Sequence, residues 1–161
     1  MLGQRGTKMQ AVVTDIRADD HDRWVELWTA YLTFYKTTLP QDIFDSTWQR
    51  LITQSGTLRG FGVRESEDGP LLGLTHYLLH ETSWSAKPMC YLQDLFVDES
   101  LRGKGLARKL ILKVAETAKE LDCYKCYWST QENNVQARLL YDKVAIYHGF
   151  IKYDFDYSKM K

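Results

Sequence analysis

Arg102, Lys104, Arg108, Lys109 and Lys113 fall within twelve residues that hold no acidic side chain, and Gly103 and Gly105 stand at the front of that stretch. Such a mixture suits an anion. A helix start presents backbone N–H groups without intrahelical partners, and with them a partial positive charge. Glycines let a ligand come close to that backbone. The basic side chains add charge, and a diphosphate is the natural guest. Two well-known phosphate loops fit less well. The dinucleotide pattern G-x-G-x-x-G fails because Arg108 stands at its third glycine, and the pattern G-x-x-x-x-G-K-[ST] is absent. On glycine and charge alone, a solvated basic helix start explains the stretch equally well.

The flanking elements narrow the choice. Tyr91 to Val97 is apolar and aromatic and predicts a strand, which the polar turn Asp98-Glu99-Ser100 ends. From about 103 to 121, Leu106, Leu110, Val114, Ala118 and Leu121 fall on one stripe and predict a helix lying on a sheet. Tyr124 to Ser129 reads as the next strand. Strand, helix and strand in this order require a parallel, right-handed crossover.

The pattern strand, loop, [Q/R]-x-x-G-x-[G/A], helix resembles the acetyl-CoA signature of the GCN5-related N-acetyltransferases. Arg102, Gly105 and Ala107 fill its defined positions, and Asp94-Leu95-Phe96-Val97 before it also matches. A second family pattern, Asn-x-x-Ala-x-x-Leu-Tyr, matches at Asn134, Ala137, Leu140 and Tyr141. The resemblance implies an α/β fold: a mixed central sheet of about six to seven strands, a splayed parallel pair at the acetyl-CoA site and about four flanking helices. It assigns the CoA diphosphate to Arg102, Gly103, Lys104, Gly105, Leu106, Ala107 and Arg108, with Asn134 also on the cofactor side. The pantetheine arm falls to the backbone of Leu95, Phe96 and Val97. Acetyl-CoA is then a co-substrate, and no metal is implied.

Acyl transfer from a thioester to an amine needs a neutral amine, donors for the developing oxyanion and a proton for the leaving thiolate. By resemblance Tyr141 is the acid; a phenol of pKa about 10 is a competent donor to a thiolate of about 8.5. Amides near Leu95 to Val97 would meet the oxyanion, freed if a β-bulge lies there. The base is open. In the spermidine/spermine-type branch a glutamate stands where this chain has Gln93, which accepts no proton usefully. Asp94 beside it is the candidate; it could instead fix the loop or bind a cationic acceptor. Glu81, His76 and a water chain are the other possibilities.

The resemblance spans nearly the whole chain. It is nearest to a small dimeric branch with yeast-type histone and polyamine acetyltransferases, through Trp24-x-x-Leu27-Trp28-x-x-Tyr31-x-x-Phe34-Tyr35 and Tyr127-Trp128-Ser129-Thr130-Gln131-Glu132-Asn133. A homodimer is therefore expected. The same aromatic spacing predicts an amphipathic helix over about 20–37. Ile43, Phe44, Trp48 and Leu51 predict a second over 41–54, after the break at Leu39-Pro40. In the resembled family such a pair walls the acceptor, so Tyr31, Tyr35, His76, Trp84 and Gln93 are the substrate candidates, with Trp48 behind them. The expected acceptor is a small amine, polyamine or amino acid, attacking directly in a ternary complex. Histone or protein lysines are the alternative acceptors, and a non-catalytic acetyl-CoA sensor the alternative class.

Ala11 to Arg17 reads as the first strand and Thr57 to Glu65 as another. Leu71 to His80 returns from it across Ser66-Glu67-Asp68-Gly69-Pro70, and Glu81 to Lys87 is a loop containing Trp84. His76 and His80 share no metal, because four strand residues span about 13 Å. Gly149 to Tyr157 alternates and reads as a closing strand or hairpin. Seven residues separate Tyr141 from Gly149, four more than the family pattern has. That is about one helical turn, which lets the last helix run longer with its face kept.

Composition bounds the rest. The 161 residues are expected to form a single domain over 1–161, with 1–9 a flexible end. They are 44% hydrophobic and 26% charged with a formal net charge of zero, so nothing global favours nucleic acid or a membrane surface. No apolar run is long enough for a membrane span, Met1 to Lys8 has no apolar core like that of a signal peptide, and the three cysteines form no disulfide framework. A cytoplasmic protein is expected. Cys123-x-x-Cys126 lacks a second pair for zinc, and Cys90 with His76 or His80 fits no hydrolytic motif.

Overall fold

The computed structural model describes residues 10–160. The flexible end expected for residues 1–9 lies outside the described residues. The chain divides into a unit running to Trp128 and a smaller one from Ser129 onward.

The first unit is built on a five-stranded sheet of order β1-β2-β3-β4-β5. Its strands are β1 (Val12–Asp15), β2 (Leu58–Arg64), β3 (Gly73–Thr82), β4 (Ser85–Val97) and β5 (Lys125–Tyr127). The first four pair antiparallel, and β5 joins β4 in parallel through Met89, Cys90 and Tyr91 only. This is the expected mixed α/β sheet, with fewer strands than the about six to seven expected.

Two helices precede the sheet's centre. In α1 (His21–Phe34), Trp24, Leu27, Trp28 and Leu32 recur at three and four residues, and all four are buried. That stripe packs on Leu74 and Phe96 of the sheet and on Leu71 just before β3, with Leu51 of α2 (Gln41–Thr53) closing the cluster. Burying each such large apolar side chain contributes about 1.5–3 kcal/mol. Leu106, Leu110, Ile111, Val114 and Ala118 of α3 (Leu106–Glu120) are buried together. Leu121, expected on that stripe, sits just past the helix end and is half-exposed.

One buried ion pair fixes the start of α1. Asp20 receives the Arg17 N–H at 2.7 Å and is bridged by Arg64, and both side chains of the pair are almost wholly buried. Burial alone would raise the Asp20 carboxyl, but the Arg64 guanidinium and the Arg17 amide outweigh it and hold it below the usual carboxylate range.

Strand β3 ends two residues later than expected and β4 starts six residues earlier. Glu81 and Lys87, read as loop, belong to a two-stranded ribbon that projects past β5, and only Ser83 and Trp84 form its tip. An antiparallel ribbon satisfies its own backbone, so polar side chains are tolerated on it.

In the second unit, α4 (Val135–Val144) starts at Asn134, whose Oδ1 accepts the Ala137 N–H at 3.3 Å. The longer helix expected from the extra residues does not form: Ala145 is already extended, and residues 145–148 lie in the following loop. The closing strand expected over 149–157 is also absent among the described residues. Only a short 3₁₀ turn, Tyr157–Lys159, appears there. Alternation describes what a strand would bury; it supplies no ladder partner.

Candidate functional site

The basic loop has the geometry of an anion cradle. Asp98 ends β4 and caps the turn Glu99–Leu101 by accepting the Ser100 N–H at 3.1 Å. Gly103 and Gly105 then adopt φ of +78° and +81°, the left-handed region that side chains avoid. A Cβ at either glycine would meet nothing within 4 Å, so open space lies where the loop turns. Gly105 caps α3 with no side chain occupying the helix start. The first helical bond is Lys109 N–H to Gly105 C=O at 3.2 Å, which leaves the amides of Leu106, Ala107 and Arg108 without intrahelical acceptors. No acidic residue stands in that first turn. Lys104 and Arg108 stay near it, whereas Arg102 leans back. Its guanidinium carbon lies 5.7 Å from the Phe34 ring centroid and 5.8 Å from that of Phe96, with Glu99 at 3.5 Å.

Asp98 also ties the loop to α1. Arg23 donates to its carboxylate at 2.7 Å, to Glu26 at 2.8 Å and to the Leu71 carbonyl at 3.0 Å. The hydrogen bonds from Ser100 and then Arg23 hold the Asp98 carboxyl down at about 2.

Strand β4 carries the second half of the site. Asp98 N–H donates to Leu72 C=O on the β3 side. Alternation turns Phe96 the same way and points the N–H groups of Leu95 and Val97 to the opposite edge. There β5 pairs only as far as Tyr91, so the strand gives these amides no partner in the sheet. The parallel pair thus splays beside the loop. The bulge expected near Leu95 to Val97 lies earlier: His76 opposes Asp94 and Tyr77 opposes Leu92, which leaves Gln93 as the extra residue. Leu95, Phe96 and Val97 keep register with Thr75, Leu74 and Gly73.

The bulge re-aims Asp94. Its carboxylate, 15% exposed, meets His76 Nδ1 at 2.9 Å, and its carbonyl accepts the Thr75 hydroxyl at 2.7 Å. The Tyr31 phenol lies close to the same carboxylate; burial first, and then that negative charge, push the phenol far above its ordinary range. Burial and then the charge of Asp94 raise the Tyr35 phenol too. The Tyr31 and Tyr35 rings lie 4.9 Å apart, and Tyr31 meets Phe96 edge-on at 6.3 Å. A half-buried carboxylate walled by tyrosines, beside unpaired strand amides and an anion cradle, can hold an amine next to an acyl group carried by a phosphate-bearing donor.

Several expected substrate residues stand elsewhere. Trp84 is 80% exposed at the ribbon tip, and ten strand residues put it roughly 30 Å from Asp94. Its distance along the ribbon removes it from this site. His76 is a substrate candidate by its sequence position. It is instead 1% exposed, and both its ring nitrogens are engaged inside the protein. Gln93 is exposed on the bulge. Asn134 and Tyr141 belong to the second unit, where Asn134 caps α4 and Tyr141 lies within it.

Two features went unread in the sequence. One is the bond from Trp24 Nε1 to His76 Nε2 at 3.0 Å, which buries a histidine in an aromatic cluster. The other is the clamp from Arg23 to Asp98. The register of the β3–β4 hairpin would have paired His76 with Asp94, had the bulge been foreseen. Cys123 lies where α3 hands over to β5, and Cys126 lies within β5 opposite Cys90. Among the described residues no cluster of side chains could hold a metal ion, and no helix is long and apolar enough to cross a membrane.

Known proteins place this geometry. The model of the acetyltransferase (GNAT) family matches residues 21–145. The chain is 40% identical over 134 residues to D-amino-acid N-acetyltransferase HPA3 of Saccharomyces cerevisiae, covering 83% of each chain. It is 36% identical over 64 residues to the uncharacterized N-acetyltransferase YjgM of Escherichia coli, covering 40% of this chain and 38% of that one. In fold it is similar to a probable acetyltransferase, with a TM-score of 0.80, 20% identity and coverage of 92% and 99%. It is also similar to AAC(6')-Iy in complex with the bisubstrate analogue CoA-S-monomethyl-acetylneamine, with a TM-score of 0.76, 16% identity and coverage of 91% and 97%. With a family model spanning most of its length and a yeast relative this close, the chain belongs to the GNAT acetyltransferases and is an acetyl-CoA-dependent N-acetyltransferase.

Proposed function

We propose that this enzyme acetylates the amino group of a small acceptor, an amino acid foremost, by direct attack in a ternary complex. The observation that carries this reading is the 15%-exposed Asp94 carboxylate, set between Tyr31 and the open edge of β4. The yeast relative acts on D-amino acids, which supports an acceptor of that class. The aromatic wall suits a small body more than an extended chain.

The loop fits the diphosphate of acetyl-CoA. Open space at Gly103 and Gly105, the three free first-turn amides and the absence of acidic side chains all favour an anion there. Acetyl-CoA supplies the thioester carbonyl that the amine attacks. Leu95 and Val97 amides on the open edge hold the acyl arm and meet negative charge on the carbonyl oxygen. Asp94 receives the ammonium of the acceptor and takes its proton, leaving the nitrogen lone pair free. Tyr141 returns a proton to the departing sulfur; the match of Asn134, Ala137, Leu140 and Tyr141 to the family pattern supports that role.

The test is thiol release from acetyl-CoA against a panel: D- and L-amino acids, diamines, polyamines, an aminoglycoside and a histone-tail peptide. Turnover confined to amino acids is the expected result. Turnover on the peptide or polyamines alone, or acetyl-CoA binding with no turnover, would overturn it.

A further inference from the structure

The imidazole of His76 sits in a fixed frame. On one side Trp24 Nε1 lies 3.0 Å from its Nε2; on the other Asp94 Oδ2 lies 2.9 Å from its Nδ1. An indole nitrogen can only donate. Nε2 must therefore accept, and the ring proton must reside on Nδ1, which donates to the carboxylate. Trp24 is 0% exposed and His76 1%, so the bond between them lies away from solvent. The geometry points to Trp24 and His76 as a positioning relay for Asp94, in which the indole N–H locks the imidazole neutral, in its Nδ1–H tautomer, so that it orients the carboxylate without forming an ion pair with it.

This inference rests on the proposed role of Asp94 and says how that role is kept. A carboxylate that must take a proton needs a fixed rotamer and an undiminished affinity for protons. A cation beside it would lower its pKa by about 1–3 units and weaken it as a base. A neutral donor fixes the rotamer at much smaller cost to basicity. Protonating His76 would set an N–H against the Trp24 N–H in a dry aromatic cluster, leaving two buried donors unpaired and a charge without solvent. The surroundings agree. From α1 come Trp24, Trp28 and the phenols of Tyr31 and Tyr35, and from α2 come Leu51, Phe44 and Trp48, with the His21 ring reaching only the Trp48 ring, 5.0 Å away. Tyr91 of β4 adds a further phenol near Tyr31. None of these except His21 can carry a positive charge.

The experiment reads the tautomer and the rate separately. In nitrogen-15-labelled protein, long-range proton–nitrogen correlation is expected to show His76 with a protonated Nδ1 and a bare Nε2. Trp24→Phe keeps an aromatic ring and removes the donor; the His76 signals should then show a mixture of the two tautomers. His76→Leu should lower kcat about ten- to a hundredfold with the KM for acetyl-CoA unchanged. His76→Asn, whose amide can stand where Nδ1–H stood, should recover most of that loss. A protonated Nε2 in the wild-type protein would overturn the relay. So would equal losses in the Leu and Asn variants, which would mark His76 as packing alone. The tautomer needs no substrate, so an enzyme inactive on every amine tested would refute the proposed function while the labelled spectra still judged the relay.

Discussion

Replacing Gly105 separates two reasons for a glycine in the loop. Its φ of +81° costs an ordinary L-residue about 1–2 kcal/mol. A Cβ there meets nothing within 4 Å, so the folded protein has room for it and the whole stability cost is backbone strain. Gly105→Ala should thus lower Tm by roughly 2–8 °C for a chain of this size. Asparagine tolerates the left-handed region, so Gly105→Asn should cost less than about 1 kcal/mol. Both side chains would enter the space in front of the Leu106, Ala107 and Arg108 amides. Loss of one charge-assisted bond there is worth about 1.5–3 kcal/mol, or about ten- to 150-fold in acetyl-CoA affinity. The assay pairs scanning calorimetry with titration calorimetry of acetyl-CoA on the same samples. Stability should separate the two variants, and affinity should fall in both. If Gly105→Asn melts like the wild type and binds acetyl-CoA within about twofold of it, the loop does not hold the diphosphate.

Three other outcomes are expected. Asp94→Asn keeps the shape and an acceptor for His76 but removes the base, so kcat should drop about ten- to several-hundredfold with acetyl-CoA affinity unchanged; undiminished turnover would assign the proton to another group. Tyr141→Phe should lower kcat over a similar range, and thiol release at the wild-type rate would remove the tyrosine from the mechanism. The Asp98 carboxyl, held down to about 2 from an ordinary value of 3.8, contributes stability that is present above pH 4 and lost as pH falls toward 2. With the side chain 29% exposed, that contribution is about 1–2 kcal/mol. Asp98→Asn should lose it at neutral pH and nothing at the acid limit, as denaturant melts at several pH values would show.

What was legible in the sequence was local. The loop from Arg102 to Ala107 announces itself within six residues, because its glycines and its charges answer one requirement at one place. The stripe of Trp24, Leu27, Trp28 and Leu32 is a helical period, and the structure buries all four. The relay at Asp94 was not legible. His76 and Asp94 stand eighteen residues apart, and they meet only through a hairpin register that the Gln93 bulge shifts by one. Periodicity says which face a residue takes after the register is known, and one extra residue inverts the answer. Trp84 misled for a related reason: its distance from the site depends on how far a ribbon continues, which polar side chains do not limit. The expected closing strand had the right alternation and no ladder to join.

Helix α1 carries Arg23 at one end, clamped to Asp98 of the loop, and Tyr31 eight residues on, close enough to Asp94 to feel its charge. About 12 Å of rigid helix thus joins the residues proposed for the two substrates. Ligands sharing one such rod do not bind independently. Whichever arrives first removes motion that the second would otherwise have to remove. Linkage makes the benefit mutual, so acetyl-CoA should tighten the acceptor by the same factor as the acceptor tightens acetyl-CoA. Cooperative assembly of the ternary complex, visible as double-reciprocal initial-velocity lines that cross above the abscissa, follows from a single arginine–aspartate bond at the far end of the helix from the chemistry.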